Sequence, residues 1–494
     1  MRVKLAGFNI DADIVRRLDP DGGRHLTPET LSAAYARISR SPLAVDQLRK
    51  QACLDVEKSR RSNQRIIFEM GHHSVAEHAV FNFDIMGVSR LALEEIERFR
   101  LASYTEKSQR YVTLEGDLVL PREIRTPALK KAFVEAVQRQ NRFYFKACER
   151  LGRRLKRQHA ALVQSAAGQR LVEGWAKEDA RYILSLATSG QVGMTVNART
   201  LEHMFRCWRL SPREEVRRLA AKLHSLVMPV APSLILFPEP TAFDREAFSA
   251  SDEYFSSLPA AVPRAAAGRQ GTGPVTVSFS ANGDDLILAS RLSTVRRLNL
   301  AQALSLIQKT SPAQKKRMYR EFFRQVQFFS AMPREFEMAD ITIQASVSAS
   351  CFAQLKRHRM ATLLSGEYEP ELGCTLPASI ADSGLGDEFL RIIDATNGVY
   401  SRLRELQGAA AAYVLTNAHR RRILMKMNLR EMYHFVRLRD DEHAQWDIRL
   451  LAHAVAARVR ERMPLAAMML CGKSRFNEEY ERIYQATPPG SDLK

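Results

Sequence analysis

One pattern occurs twice in the chain. Residues 88–111 read VSRLALEEIERFRLASYTEKSQRY, and residues 347–370 read VSASCFAQLKRHRMATLLSGEYEP. Val88, Ser89, Arg98, Arg100 and Ala102 align without a gap on Val347, Ser348, Arg357, Arg359 and Ala361. Downstream, MTVNARTLEHMFR (194–206) aligns with MKMNLREMYHFVR (425–437). Met194, Asn197, Arg199, His203 and Arg206 match Met425, Asn428, Arg430, His434 and Arg437. Two matches in the same order divide the 494 residues into homologous halves. Whatever fold one half adopts, the other must adopt too. Two such halves fall within the two to three domains this length allows at roughly 150 residues each.

Composition marks the joint. Residues 245–275 are rich in Ala, Ser, Gly and Pro and read as a flexible linker. The expected organisation is a first domain over 1–244, a linker over 245–274 and a second domain over 275–494. Each half opens on an alternating segment, VKLAGF (3–8) and VTVSFS (275–280), that reads as a strand. Amphipathic stretches at 29–58, 129–158, 388–414 and 446–462 read as long helices. The fold class is therefore α+β, in two tandem copies, each a mixed sheet with flanking long helices.

The net charge of +19, from 74 basic and 55 acidic residues, points to a polyanionic partner or to a solvated basic surface. Nucleic acid, a membrane surface and phosphorylated small molecules all fit the charge. No nucleic-acid motif accompanies it, which disfavours the first. The six cysteines are scattered, with no C-x-x-C, as expected of free thiols in a reducing cytoplasm. The N-terminus carries Asp11 and Asp13 where a signal peptide needs an apolar run. The longest apolar candidate for a membrane span, 225–237, is broken by Pro229 and Pro232. The expectation is a cytoplasmic protein without a membrane partner.

Four motifs carry chemistry. In RFRLASYTEKSQRY (98–111), Arg98 and Arg100 precede a turn rich in hydroxyls, ending on Arg110. Guanidinium forks and turn hydroxyls suit phosphate oxygens, although a solvated helix end has the same composition. RHRM (357–360) places His358 between two arginines. HHSVAEH (72–78) admits three readings: a metal site, ligand-positioning residues at a strand mouth, or a capping box from Ser74 to Glu77. Asn197 and Asn428 each precede a helix-like run, with Glu431 three residues after the second, so both read as N-caps. Arg430 and His434, four apart, share a helix face, and Asn428 and Arg439, eleven apart, also align.

These segments resemble the flavin-dependent thymidylate synthases. That family carries R-H-R-x-A-S-Y-x-x-x-S-x-R-Y, which residues 98–111 match except that Phe99 stands where His is usual. GHHSVAEHAVFNF (71–83), TVNARTLEHMF (195–205) and MNLREMYHFVRLRDDEHAQWDIR (427–449) are similar to its other signatures. The resemblance implies reductive methylation of dUMP to dTMP, with FAD as cofactor and NADPH and methylene-tetrahydrofolate as co-substrates. It implies that Arg439 polarises the uracil ring. Glu106, Ser108, Gln109, Arg110, Arg181, Gln354 and Arg357 match nucleotide contacts of the family. Ser74, Glu77, Arg98, Arg100, Asn197, Arg199, His203, Arg357, His358, Arg359, Asn428, Arg430 and His434 match its flavin contacts. No metal is implied.

The halves depart from the family in complementary ways. The first has Phe99, Glu95 and Trp208 where His, Gln and Arg are expected. The second has Glu367 for the motif serine, Glu369 for the loop arginine and Ala412 for the nucleotide-binding arginine. An acidic residue facing a phosphate would repel it. The family builds its sites across subunits of a homotetramer. The expectation is therefore a homodimer forming a pseudo-tetramer, with composite sites that use the nucleotide loop of the first half and R-H-R and Arg439 of the second.

Overall fold

The computed structural model describes residues 1–11, 26–38, 41–108, 117–246, 252–253, 255, 257–258 and 275–489. The expected linker over 245–274 lies almost wholly outside the described residues.

The first repeat runs β1 (Arg2–Phe8), α1 (Glu29–Arg37), α2 (Val45–Leu54), α3 (Val56–Asn63), β2 (Val80–Ser89), α4 (Arg90–Ile96), β3 (Ala102–Glu106), α5 (Pro127–Gln158), α6 (Ala166–Ala180), β4 (Ser189–Asn197), α7 (Ala198–Arg209) and α8 (Glu214–Val227). The second runs β5 (Thr276–Phe279), α9 (Gly283–Arg296), α10 (Leu300–Gln308), α11 (Pro312–Phe323), β6 (Asp340–Ser348), α12 (Ala349–Leu355), β7 (Thr362–Tyr368), α13 (Gly386–Gln407), β8 (Arg420–Asn428), α14 (Leu429–Arg439) and α15 (Trp446–Arg462).

The two sheets have one topology, β1-β2-β4-β3 and β5-β6-β8-β7. All pairings are antiparallel, where mixed sheets were expected. Alternation in a sequence reports which face a strand buries and is silent on its direction. Ile341, Ile343, Ala345 and Val347 of β6 face the core beside Ile423, Met425 and Met427 of β8. Phe81, Phe83 and Ile85 of β2 do the same beside Val192, Met194 and Val196 of β4. β2 has ten residues where β6 has nine. The extra residue is taken up at Gly87, whose φ of 68° lies where glycine has no steric penalty, at a register shift between Met86 and Val88.

The helices expected at 129–158 and 446–462 fall within α5 and α15. The stretch at 29–58 is three helices. Ser41 and Pro42 interrupt it after α1, and Asp55 takes an extended conformation and caps α3 by accepting the Lys58 N–H at 2.8 Å. The stretch at 388–414 is helical to Gln407 and continues from Gly408 as 3₁₀ turns to Val414.

Packing does not follow the repeat. Contacts group Met1–Ala265 with Asp387–Leu415 as one unit, and Ala266–Gly386 with Thr416–Lys494 as the other. Within the first unit, Gln140 of α5 donates to Thr396 Oγ and to the Val414 carbonyl, both at 3.0 Å. The Leu186 and Ala187 N–H groups donate to the carbonyls of Leu415 and Tyr413. No described helix is long and apolar enough to cross a membrane.

One local device recurs in both repeats. Ser89 and Ser348 end the second strand of each sheet and cap the next helix, accepting the N–H groups of Ala92 and Cys351. Each serine hydroxyl also donates to a buried carboxylate on a later helix, Ser89 to Glu215 at 2.7 Å and Ser348 to Asp447 at 2.5 Å. The strand end, the helix before R-H-R and the helix after the C-terminal signature are thereby tied together. Ser348→Ala removes the cap and one donor to a carboxylate only 1% exposed. It is expected to destabilise the second unit by about 2–4 kcal/mol. Hydrogen exchange in β6 and α12, referenced to β2 and α4 of the same chain, checks this.

Candidate active site

In the second unit, α12 carries Gln354, and the turn after it carries Arg357, His358 and Arg359. The two arginines are exposed while His358 is buried. His358 Nε2 accepts the Arg439 Nε–H at 3.0 Å, and Nδ1 lies 3.2 Å from Glu431 Oε1. Arg439 Nη2 donates to the Gln354 carbonyl at 3.4 Å. The Gln354 amide donates to Gln445 Oε1 at 3.4 Å, and that oxygen also accepts the first N–H groups of α15. The ring of His358 meets Phe435 and His434 edge-on at 5.0 and 5.7 Å. Burial is the main force pushing the His358 pKa below its ordinary 6.5, and Arg439 and His434 push the same way while Glu431 opposes them. His358 is therefore held neutral at pH 7.

Among the described residues, His358, Glu431 and His434 bring ligand atoms within 4.8 Å of one another. The geometry suits hydrogen bonding better than a cation. His358 Nε2 already spends its lone pair on Arg439, and Nδ1 faces Glu431.

Beside this cluster lies a cavity of about 720 Å³. Phe328, Phe329 and Met332 give it apolar walls, and Asn428, Arg430 and His434 line another side. Arg437 and Lys473 add positive charge. Arg430 is anchored by Glu337 and by the Met332 carbonyl, both at 2.7 Å, and the Lys473 ammonium sits over the Phe328 ring at 4.7 Å. Glu337 and Glu431 also line it, and Glu337 neutralises Arg430, so Arg437 and Lys473 carry its excess positive charge. Apolar walls with that excess suit an anionic ligand bearing an aromatic ring system. The N-cap reading of Asn428 is also seen: its Oδ1 accepts the Glu431 N–H at 2.9 Å. The Glu431 side chain, which a capping box would turn back to the N-cap, reaches His358.

The first unit uses the same scaffold differently. Phe99 and Trp208 occupy the positions of His358 and Arg439 and pack edge-on at 5.6 Å, 8% and 1% exposed. Trp208 Nε1 donates to the Glu95 carbonyl at 3.4 Å. The Glu95 carboxylate accepts the Ser211 hydroxyl at 2.7 Å and pairs with Arg213. The amide pair Gln354–Gln445 of one unit is thus a carboxylate–guanidinium pair in the other. Arg98 stacks over Phe99 at 5.2 Å, and His203 meets Phe99 edge-on at 5.7 Å, while Arg98, Arg100 and His203 remain exposed. Asn197 caps α7 through the Thr200 N–H at 2.8 Å. The capping box expected at Ser74 is not formed. Residues 73–78 make a 3₁₀ turn without a side-chain cap, Ser74 is exposed, and Glu77 pairs with Arg199 at 2.5 Å. The second unit repeats that ion pair as Arg430–Glu337.

Of the nucleotide-loop residues, Glu106 ends β3, 3.8 Å from buried Arg90, and Ser108 follows it. Gln109 and Arg110 lie outside the described residues. Arg181 is buried in the turn after α6. In the second unit the charge of Glu369 is held by Arg422 at 2.6 Å, so this carboxylate is already neutralised. Ala412 is buried in the segment that packs with the first unit. Sequence reasoning passed over Glu431 and Gln445 as site residues. Their signal was present in the repeat: they align with Thr200 and Arg213, changing together with His358/Phe99 and Arg439/Trp208.

The sequence model of the family described as thymidylate synthase complementing protein matches residues 24–233 and 279–465, one segment in each repeat. The flavin-dependent thymidylate synthase of Clostridium tetani is 32% identical over 219 residues, covering 43% of this chain and 83% of that protein. That of Geobacter sulfurreducens is 34% identical over 210 residues, covering 42% and 80%. Among solved structures, thymidylate synthase X from Helicobacter pylori with FAD and dUMP overlays with a TM-score of 0.30 at 18% identity, over 48% of this chain and 97% of that one. The UMP/dUMP methylase PolB from Streptomyces cacaoi bound with 5-Br dUMP overlays at 0.34 and 16% identity, over 44% and 98%.

The two units differ in what the matched position does, and stability separates a core residue from a site residue. Trp208→Ala leaves a cavity in the first core and is expected to cost about 3–5 kcal/mol. Arg439→Ala removes a half-buried side chain, leaves the buried His358 Nε2 without its donor and is expected to cost about 1–3 kcal/mol. Urea unfolding of the two variants against the parent chain measures both.

Proposed function

The chain belongs to the thymidylate synthase complementing protein family, and from that premise we propose that it is an FAD-dependent thymidylate synthase. In this reading it converts dUMP to dTMP, with methylene-tetrahydrofolate giving the carbon and NADPH the reducing equivalents. The observation that carries the reading is the hydrogen-bonded set Gln354–His358–Arg439, with His358 buried, beside a cationic, aromatic-walled cavity.

The residues fit the cofactor. Arg437 and Lys473 would meet an anionic pyrophosphate, Phe328 and Phe329 a planar ring, and Asn428, His434 and the Glu337-paired Arg430 line the same cavity, while Arg357, His358 and Arg359 enter this proposal as matches to the family's flavin contacts. FAD, when bound, supplies the hydride chemistry. The protein supplies orientation and charge. A guanidinium fixed beside a uracil ring favours its anionic form and stabilises charge that develops in the transition state. Three of the buried or half-buried cysteines are poor candidates for thiol chemistry. Burial pushes the thiols of Cys148 and Cys471 up to about 11, and that of Cys351 well above its ordinary value. A thiol in that state is a weak nucleophile.

In the same proposal Glu106, Ser108, Gln109, Arg110, Arg181, Gln354 and Arg357 bind the nucleotide, and the chain works as a homodimer. The Phe99–Trp208 core favours a second reading for the first unit, as a partner that does not itself catalyse.

Purified protein given dUMP, methylene-tetrahydrofolate and NADPH is expected to form dTMP only when FAD is present. Arg439→Ala is expected to lower turnover at least about a hundredfold, the scale for removing one transition-state donor, and Arg110→Ala to raise KM for dUMP and so lower kcat/KM. Flavin bound without turnover would move the conclusion to a non-catalytic flavoprotein. The pH profile is also fixed in sign. A proton on His358 removes the lone pair that Arg439 donates to, and the folded-state pKa lies below 6.5, so turnover falls on the acid side of that value. A profile with no acid limb over the pH range in which the chain stays folded would contradict the role given to His358.

A further inference from the structure

We propose that Glu431 is a positioning residue that selects one tautomer of His358 and through it aims the guanidinium of Arg439. Arginine has N–H groups and no lone pair. Its Nε–H lies 3.0 Å from His358 Nε2, so Nε2 must be the unprotonated nitrogen. The ring proton of neutral His358 is then on Nδ1, 3.2 Å from Glu431 Oε1, and donates to it. A neutral imidazole left to itself prefers the proton on Nε2. In that form two N–H groups would face each other across the 3.0 Å contact and Arg439 would turn away. A carboxylate on Nδ1 prevents this.

The helix explains why one imidazole serves both partners. Residues 431 and 439 stand about 12 Å apart along α14. His358 enters from the turn after α12 and offers one nitrogen to each. Both Glu431 and His358 are buried, 8% and 5% exposed, so water competes poorly for these bonds. The first repeat serves as an internal control. Thr200, Phe99 and Trp208 stand at the three positions; none of them can ionise, and Phe99 and Trp208 pack as apolar core. Glu431 thus belongs to the His358–Arg439 pair and has no separate part in the fold common to both repeats.

This rests on the reading of Arg439 as the residue that faces the uracil ring, and two measurements keep the two ideas apart. The first is ¹⁵N NMR of the full chain labelled on histidine, with His358→Asn assigning the signal. An Nδ1–H tautomer for His358 is expected, and an Nε2–H tautomer overturns the proposal, whether or not the protein makes dTMP. The second is kinetic. Glu431→Gln keeps an oxygen that accepts from Nδ1–H and is expected to retain most of the turnover. Glu431→Met keeps the volume and loses the acceptor. It is expected to lower kcat about tenfold to a hundredfold, the scale for partners that orient a functional group, with KM for dUMP near the parent value. Equal effects of the two substitutions, or none from either, overturn it. Should Glu431→Met fail to fold, the parent tautomer still decides. If the parent chain makes no dTMP, the proposed function fails while the tautomer continues to test the role of Glu431.

Discussion

The hydrogen bond from Arg439 to His358 sets the conditions that the rest of the second unit meets. A guanidinium can only donate, so its partner must be neutral and correctly protonated at the pH of use. Burial supplies the neutrality, and Glu431 stands on the other nitrogen. Bringing these groups together depends on the ladder between β6 and β8, whose register runs from Asp340↔Asn428 to Ser348↔Arg420. Ser348 at one end starts α12, and Asn428 at the other starts α14. The two helices begin at opposite ends of one ladder, and the turn after α12 meets α14 over the sheet. A one-residue slip in that register would move every inward side chain to the other face and separate the pair.

The first unit shows the same scaffold without that demand. With Phe99 and Trp208 in place, the volume is filled by two rings, and the polar anchor beneath them becomes an ion pair, Glu95–Arg213. Each solution pairs the polar groups beneath it, Gln354 with Gln445 and Glu95 with Arg213, which is why one backbone carries either. The ion pairs Arg199–Glu77 and Arg430–Glu337, and the serine–carboxylate ties at Ser89 and Ser348, persist through the divergence. They belong to the fold. The residues that differ mark where the two units parted in role.

Packing and ancestry also part company at residues 387–415. This segment comes from the second repeat, yet Thr396, Tyr413, Val414 and Leu415 make their hydrogen bonds within the first unit. Tyr413 donates to Glu215 at 2.8 Å, the same carboxylate that Ser89 uses.

What the sequence determined by itself was local or periodic. The repeat, the α+β class, the strands at 3–8 and 275–280, the helix at 446–462 and the caps at Asn197 and Asn428 all rest on signals within a few residues. The burial of His358 between exposed Arg357 and Arg359 was not legible there, since a basic triplet reads equally as a solvated surface. Strand direction, the three-way break of 29–58 and the turn of Glu431 away from its helix start were decided by tertiary structure. So were the cavity walls from Phe328 and Lys473 and the seating of 387–415. His358 and Glu431 are 73 residues apart. Whether they meet depends on sheet register and helix docking, which no local periodicity encodes, because a side chain's partner across a core is chosen by the packing of every element between them.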